Sequence, residues 1–346
     1  MGNTASETQV EANIEQRQLS QNESESANMK RRDQGCHECE VIGCGPEAEE
    51  STLAWTKCTK NPGHSKFLPA SKFDLKHLDR HFRDTTVFNS IKALSDLTVR
   101  LRVTYTSHKR PDGYAFAKYK GSDILHLGSG WVYRVRLGEG LCPCRDCACS
   151  SFPCKQWYRI YVFTACHVVY NSEEAQNTMV DFFYDDETYR KEGKVKTVWG
   201  SEIFIKSEEK DHSLLSCVTH SKDLFMQLQE ARRNLFLKEL VRGALSRGQL
   251  SLPEPVVVIV SHPHGQPKKI TVGQLVRLKF DSEHLDPISN KCLVYKTETC
   301  PGSSGAPVIV IGSRAMLSGF VPHSGSKQVE RVNFSGEIFV SKLENS

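Results

Sequence analysis

Between Ser71 and Leu97 apolar residues recur at helical spacing: Phe73, Leu75, Leu78 and Phe82, then Val87, Ile91 and Leu94. A stripe of this kind predicts helix with one face against a core. From Val99 to Tyr105 the period shortens to two, as in a strand with one buried face. Trp131–Arg136 and Trp157–Val162 read as further strands, and Asp181–Glu187 as the end of a hairpin strand. Lys222 to Leu245 returns to a helical period through Leu224, Leu228, Ala231 and Leu235; Lys238 interrupts the stripe, and Leu237, Leu240 and Val241 carry it on. Pro253-Glu-Pro-Val-Val-Val-Ile-Val260 is expected as a buried strand. Ser261–Gln266 follows as a loop whose histidines, His262 and His264, are expected at the surface.

Three segments carry reactive side chains among these elements. His167 lies between two apolar runs in Tyr161–Tyr170, the setting of a strand end or short turn. Asp211 precedes the apolar strand that begins at His212, and Ser304 lies in Gly302-Ser-Ser-Gly-Ala-Pro307. A serine hydroxyl is a poor nucleophile until a base takes its proton, and imidazole does this near neutral pH. A carboxylate can hold that imidazole in one tautomer. A turn flanked by glycines can aim the Gly302 and Ser304 amides at one point, as an oxyanion hole requires. Asp181, Asp185 and Asp186 are the competing carboxylates.

The order His167, Asp211, Ser304, with separations of 44 and 93 residues, resembles the chymotrypsin-like (trypsin-fold) serine proteases. Thr164-Ala-Cys-His167 is similar to that family's histidine segment, Asp211-His-Ser-Leu-Leu215 to its aspartate segment, and Gly302–Pro307 to its nucleophile loop. Gly128-Ser-Gly-Trp-Val132 resembles the strand before the histidine segment. The resemblance covers residues 97–345. It implies a mainly β protein of two six-stranded antiparallel β-barrels, with Lys222–Leu245 as an inter-barrel helix. It also implies a serine endopeptidase acting through an acyl-enzyme on protein or peptide substrates, with no cofactor needed for catalysis.

The nucleophile loop departs from the zymogen-activated members, which carry an aspartate where this chain has Ser303. Activation by a freed N-terminal amine is therefore not expected, and the barrels should be preassembled. The loop is closer to the glutamyl endopeptidase and viral branches, which pair a threonine five residues before the nucleophile with a histidine on a later strand. Thr299 and His323 stand in those places, which implies glutamate or glutamine before the scissile bond.

Composition fits a globular enzyme: of 346 residues 38% are hydrophobic and 25% charged. The net charge of +4 is uneven, because residues 1–60 hold 11 acidic and 6 basic side chains. No basic stripe with interleaved aromatics supports nucleic-acid binding. No apolar run approaches the ~18 residues of a membrane span, and the polar, Glu/Gln/Ser-rich start has no signal-peptide core. A cytoplasmic location with reduced thiols is expected for the 13 cysteines. Residues 1–60 are expected to be a disordered, cysteine-containing tail, 61–97 a helical extension, and 98–346 the catalytic domain. Met1-Gly-Asn-Thr-Ala-Ser6 fits N-myristoylation at Gly2, which alone anchors a chain weakly to a membrane.

Residues 137–156 form a cysteine-rich insertion. Four of its thiols, Cys142, Cys144, Cys147 and Cys149, are candidate ligands for a structural zinc, with Cys154 close by. Cys36, Cys39, Cys44, Cys58 and His64 form a second, weaker group. Cys166 is expected in the core. The alternative to a protease is a binding module on the same scaffold that presents the zinc-held loop. A zinc-dependent hydrolase lacks its H-E-x-x-H motif.

Overall fold

The computed structural model describes residues 36–43, 45–151, 154–235, 254–280, 291–312 and 320–337. Gly2, Cys44 and the expected helix beyond Leu235 lie outside these residues. The described chain opens with short strands β1 (Cys36–His37) and β2 (Glu40–Val41), helix α1 (Glu47–Thr56) and strand β3 (Leu68–Pro69). Helix α2 (Thr85–Leu97) leads into β4 (Thr98–Val103).

The first barrel continues with β5 (His126–Leu137), short helix α3 (Arg145–Ala148), β6 (Tyr158–Thr164) and α4 (Ser172–Gln176). Then come β7 (Thr178–Phe182), α5 (Glu187–Lys191), β8 (Lys196–Ser207) and β9 (His212–Thr219). The strands pair in the order β5-β4-β7-β8-β9-β6, and β5 pairs with β6 to close six antiparallel strands. Val99, Leu101, Val132, Ile160, Val162, Val180 and Leu215 fill the interior.

Helix α6 (Lys222–Arg233) follows, and the second barrel comprises β10 (Val256–Ser261), β11 (Lys269–Phe280), β12 (Lys291–Tyr295), β13 (Pro307–Ile311), β14 (Val321–Lys327) and β15 (Val332–Glu337). Its order is β14-β13-β10-β11-β12-β15, closed by β14 with β15. The expected two-barrel, mainly β architecture is present. Leu224, Leu228 and Ala231 of α6 join the first core, and Leu235 touches both the first core and the cluster outside the second barrel.

Two expectations at the N-terminal side need correction. Residues 36–43 and 45–60 are ordered, because their strands complete sheet edges and α1 packs its Ser51 against the β10–β11 loop. Residues 61–97 are no separate helical extension. Short 3₁₀ turns run to Phe82, and only α2 is a regular α-helix. The aspartates explain the interruption: Asp74, Asp79 and Asp84 each accept backbone N–H groups and restart the chain. Phe73, Leu78, Phe82, Val87, Ile91 and Leu94 then cover the outer face of β10 at Val258 and Val260. Val257 and Ile259 of the same strand face the barrel interior. Burial on both faces is why Val256–Val260 reads as a continuous apolar run.

The turn carrying His167 is fixed by a buried ion pair. Arg110 donates to Glu174 Oε1 at 2.6 Å and Oε2 at 2.7 Å, and to the carbonyls of His167 at 2.9 Å and Val168 at 3.3 Å. Glu174 also accepts from the Ser107 and Tyr170 amides. Removing one partner leaves a buried charge uncompensated. Glu174→Ala is therefore expected to cost about 3–5 kcal/mol in denaturant unfolding; a loss below 1 kcal/mol would show that the pair is not needed.

Candidate active site

His167 sits in the turn after β6, Asp211 in the tight turn between β8 and β9, and Ser304 in the turn before β13. Asp211 takes a left-handed conformation at φ 47°. This points its carboxylate back at His167: Oδ1 accepts from the His167 amide at 3.0 Å and Oδ2 meets Nδ1 at 2.8 Å. The Ser324 hydroxyl donates to the same Oδ2. Burial alone would raise the Asp211 pKa, but the neighbouring imidazoles of His167 and His37 hold it well below the usual carboxylate range. The competing carboxylates are engaged elsewhere. Asp181 binds Arg100 and Arg102, Asp185 binds Lys268, and Asp186 caps α5.

The Ser304 turn needs its glycines. Gly302 has φ 88°, and a Cβ there would lie 2.7 Å from the His262 carbonyl oxygen. Gly305 has φ 81°, and its Cβ would lie 2.2 Å from the Ser129 carbonyl oxygen. Among the described residues neither the Gly302 nor the Ser304 amide donates to another backbone group. The Ser304 hydroxyl donates to the carbonyl oxygen of Glu38 at 2.9 Å, while buried His167 Nε2 has no hydrogen-bond partner. His167 and Asp211 are thus hydrogen-bonded to each other on the first barrel, and Ser304 lies on the second, bonded to Glu38 of the strand that crosses between them.

Thr299 and His323 also converge, around the side chain of Glu38. Glu38 Oε2 lies 3.0 Å from His323 Nε2, and Oε1 contacts Lys60 Nζ. Lys60 reaches Thr299 Oγ1 at 3.0 Å and Asn333 Oδ1 at 3.2 Å. Burial first, then the Lys60 charge, pushes His323 well below its usual pKa, so its ring is neutral. A neutral ring meets a carboxylate favourably through Nε2–H, leaving Nδ1 to accept from the Tyr295 hydroxyl at 2.6 Å. Burial lowers Lys60 to about 8, with Cys300 and Glu298 acting the other way.

The expected surface positions of His262 and His264 are corrected: both are buried behind the nucleophile turn. Gly302 packs on their backbone, and the His264 amide donates to the Pro301 carbonyl. Cys166 is in the core with Tyr114 and Tyr170, as expected. In the cysteine insertion, Cys142, Cys144 and Cys147 gather around His220, with Sγ atoms 3.1, 3.9 and 3.5 Å from its Nε2. Cys149 is not in this group and is exposed. Cys149 lies just past helix α3, and His220, just past β9, supplies the fourth ligand-type atom.

Sequence reasoning missed His37, Glu38, Lys60, Tyr295, Ser324 and Asn333. Ser324 was within reach, since it follows His323 on the same strand. Cys36-His-Glu-Cys39 drew attention only for its cysteines. No pattern marks Lys60, which reaches the pocket from 239 positions before Thr299.

The chain has relatives. The family of the lysyl endopeptidase C-terminal domain matches residues 154–326, from β6 through β14 and so across His167, Asp211, Ser304 and His323. No curated protein sequence matches the chain. Among solved structures, the Rv3671c protease from M. tuberculosis in its active form is 13% identical, with a TM-score of 0.37, over 73% of this chain and 82% of that one. Deg5 is 13% identical, with a TM-score of 0.41, over 75% and 91%. The HtrA-type protease AlgW with a decapeptide is 12% identical, with a TM-score of 0.38, over 72% and 63%. With half its length matched, including every segment of the His–Asp–Ser constellation, the chain belongs to the lysyl endopeptidase C-terminal domain family and is a chymotrypsin-fold serine protease.

Proposed function

We propose that the protein is a serine endopeptidase that cuts after glutamate. The carrying observation is the Glu38 side chain, held between His323 and Lys60 while its own carbonyl accepts from the Ser304 hydroxyl. Ser304 attacks the scissile carbonyl as His167 takes its proton, and Asp211 keeps the imidazole oriented and stabilises its charged form. The Gly302 and Ser304 amides receive the oxyanion. His167 then protonates the leaving amine, and water hydrolyses the acyl-enzyme.

The relatives' name points instead to lysine before the cut. Lys60 argues against that for this chain, because an ammonium beside Thr299 and Asn333 repels a second one. A peptide library with the residue before the cut varied is expected to give cleavage after Glu, with Gln weaker. Cleavage after Lys would sink the specificity reading, and no cleavage with any residue would sink the enzyme reading.

The binding-module alternative has no observation that favours it, since the cysteine loop lies at the opposite end of β6 from His167. We also propose a structural zinc on Cys142, Cys144, Cys147 and His220, which would order a loop with little core of its own. Acylation at Gly2, the weak membrane association it would give, and a cytoplasmic location stay proposals drawn from the sequence.

A further inference from the structure

We propose that the protease cuts its own chain between Glu38 and Cys39, in cis. The proposal rests on the glutamate-directed reading above. Residues 36–41 cross between the barrels as two short strands joined by Glu38 and Cys39. β1 pairs antiparallel with β14, Cys36 opposite Ser326 and His37 opposite Gly325. β2 pairs antiparallel with β5, Glu40 opposite Leu127 and Val41 opposite His126. Only Glu38 and Cys39 lie between the two pairings, with Ser304 bonded to Glu38.

Strand addition on both sides of one peptide bond is how a protease holds a substrate backbone, with pockets reading alternate side chains. The contacts around this bond are those of a docked backbone, except that the Glu38 carbonyl oxygen accepts from the Ser304 hydroxyl and not from the Gly302 and Ser304 amides. The His37 ring stacks on His167 with centroids 4.1 Å apart, and its Nδ1 lies 3.2 Å from the Ser324 carbonyl oxygen. The Glu38 side chain fills the Lys60–His323 pocket, and the Ser304 hydroxyl reaches the Glu38 carbonyl oxygen. Beside the strand is a cleft of about 1310 Å³ lined by Cys36 to Glu40, Lys57 to Lys60 and Ser326 to Glu330, and not by His167, Asp211 or Ser304. The following α1 holds the strand in place: Glu47 accepts from Arg100 at 2.8 Å, and Ser51 donates to the His264 carbonyl. So short a tether makes the reaction intramolecular.

The step needs only water besides the chain. Ser304 Oγ bonds to the Glu38 carbonyl carbon, and its proton passes to His167 Nε2, which has no other partner. The bond from that carbon to the Cys39 nitrogen breaks with the electron pair on nitrogen, which takes the proton from His167 as the Cys39 amine. Water then adds to the Glu38 acyl group, giving its proton to His167. The Glu38 carboxylate leaves, and the proton returns to Ser304. Among the described residues, Cys36 to Glu38 are then held by β1 and the Glu38 pocket.

Intact-mass spectrometry of the full purified chain tests this. Two fragments meeting at Glu38/Cys39 are expected, at a rate that does not change on dilution. Ser304→Ala should stay whole, even when a tagged copy is mixed with wild type. Glu38→Lys should also stay whole yet bind a fluorophosphonate and cut a Glu-containing peptide. A wild-type chain that remains whole, is cut elsewhere, or cuts the tagged Ser304→Ala copy overturns self-cleavage in cis. If it also fails to bind the probe and to cut the peptide, the glutamate-directed reading falls with it.

A second, separate site lies behind the nucleophile turn. Cys58, His64, His264 and Cys300 bring one ligand-type atom each within 4.8 Å of the others, and all but Cys58 are buried. Cys58 and Cys300 sulfurs are 3.6 Å apart, and Cys300 Sγ lies 3.4 Å from His64 Nε2. A tetrahedral zinc with ordinary bond lengths sets such edges at roughly 3.4–3.8 Å. His264 Nε2 is buried without a partner, and its Nδ1 lies 2.6 Å from Glu40, the outer carboxylate that orients a metal-binding imidazole. The Asn61 amide and side chain donate to the two sulfurs. We infer that these four residues bind zinc and so tie residues 58–64 to Cys300, next to Thr299 of the specificity pocket. Cobalt(II) replacement should give the visible spectrum of a tetrahedral thiolate–imidazole site. Cys58→Ser and His64→Ala should each lose one metal equivalent per chain, and Cys144→Ser paired with Cys147→Ser should not remove that equivalent. An unchanged metal content in Cys58→Ser and His64→Ala overturns the site.

Discussion

Ser304→Ala is expected to lower kcat by about 10⁴- to 10⁶-fold and to abolish fluorophosphonate labelling, with the fold intact. The hydroxyl lies in the glycine turn before β13 and donates to the Glu38 carbonyl oxygen at 2.9 Å. His167→Ala should come close to the same loss, since the two act as one unit and their effects do not add. Ser304 is small and lies in a turn fixed by Gly302 and Gly305, so the methyl of alanine fits without rearrangement. A Ser304→Ala protein that retains a tenth of wild-type turnover would refute the nucleophile assignment.

Lys60→Ala is expected to lower kcat/KM for Glu substrates by about 10²- to 10³-fold, while Gln substrates lose far less. The magnitude is that of removing one partner from a buried, charge-assisted hydrogen bond. His323 is neutral and Thr299 is uncharged, so under the proposed specificity Lys60 is the group expected to distinguish carboxylate from amide. The pH dependence follows with a definite sign. Burial sets the Lys60 ammonium at about 8. Below that value the lysine is charged and attracts glutamate; above it the charge is lost. With a glutamate in the pocket, as Glu38 is here, activity toward Glu should therefore fall as pH rises past about 8, and the ratio of Glu to Gln should fall with it. A Glu-to-Gln ratio unchanged by Lys60→Ala, or flat across pH 8, counts against the pocket.

The barrels were legible because their strands obey local rules. Val99–Tyr105 alternates, Val256–Val260 is apolar throughout, and each pattern reports which strand faces are buried. His167, Asp211 and Ser304 were legible because each needs particular neighbours: an apolar strand, a strand mouth and a glycine turn. The three aspartates that break Ser71–Leu97 into turns were misread because apolar spacing alone does not register side-chain caps. Lys60 and Glu38 were hidden for a different reason. Their roles come from chain crossing between barrels, and long-range pairing leaves no periodic trace. His220 is not legible beside Cys142, Cys144 and Cys147 because spacing along one loop does not show that the fold brings the end of β9 alongside.

The outer face of β10 bears on where this enzyme can be divided. Val258, Val260, Ile270, Ile309 and Ile311 are covered from outside the second barrel by Phe73, Phe82, Ile91 and their neighbours, all of which precede the first barrel in the chain. A fragment starting at residue 98 would keep both barrels and His167, Asp211 and Ser304, yet present that face to water. Contiguous apolar surface of this kind drives association. The smallest soluble catalytic unit therefore begins well before the first barrel strand, and the segment that looks like a leader to the enzyme is one wall of it.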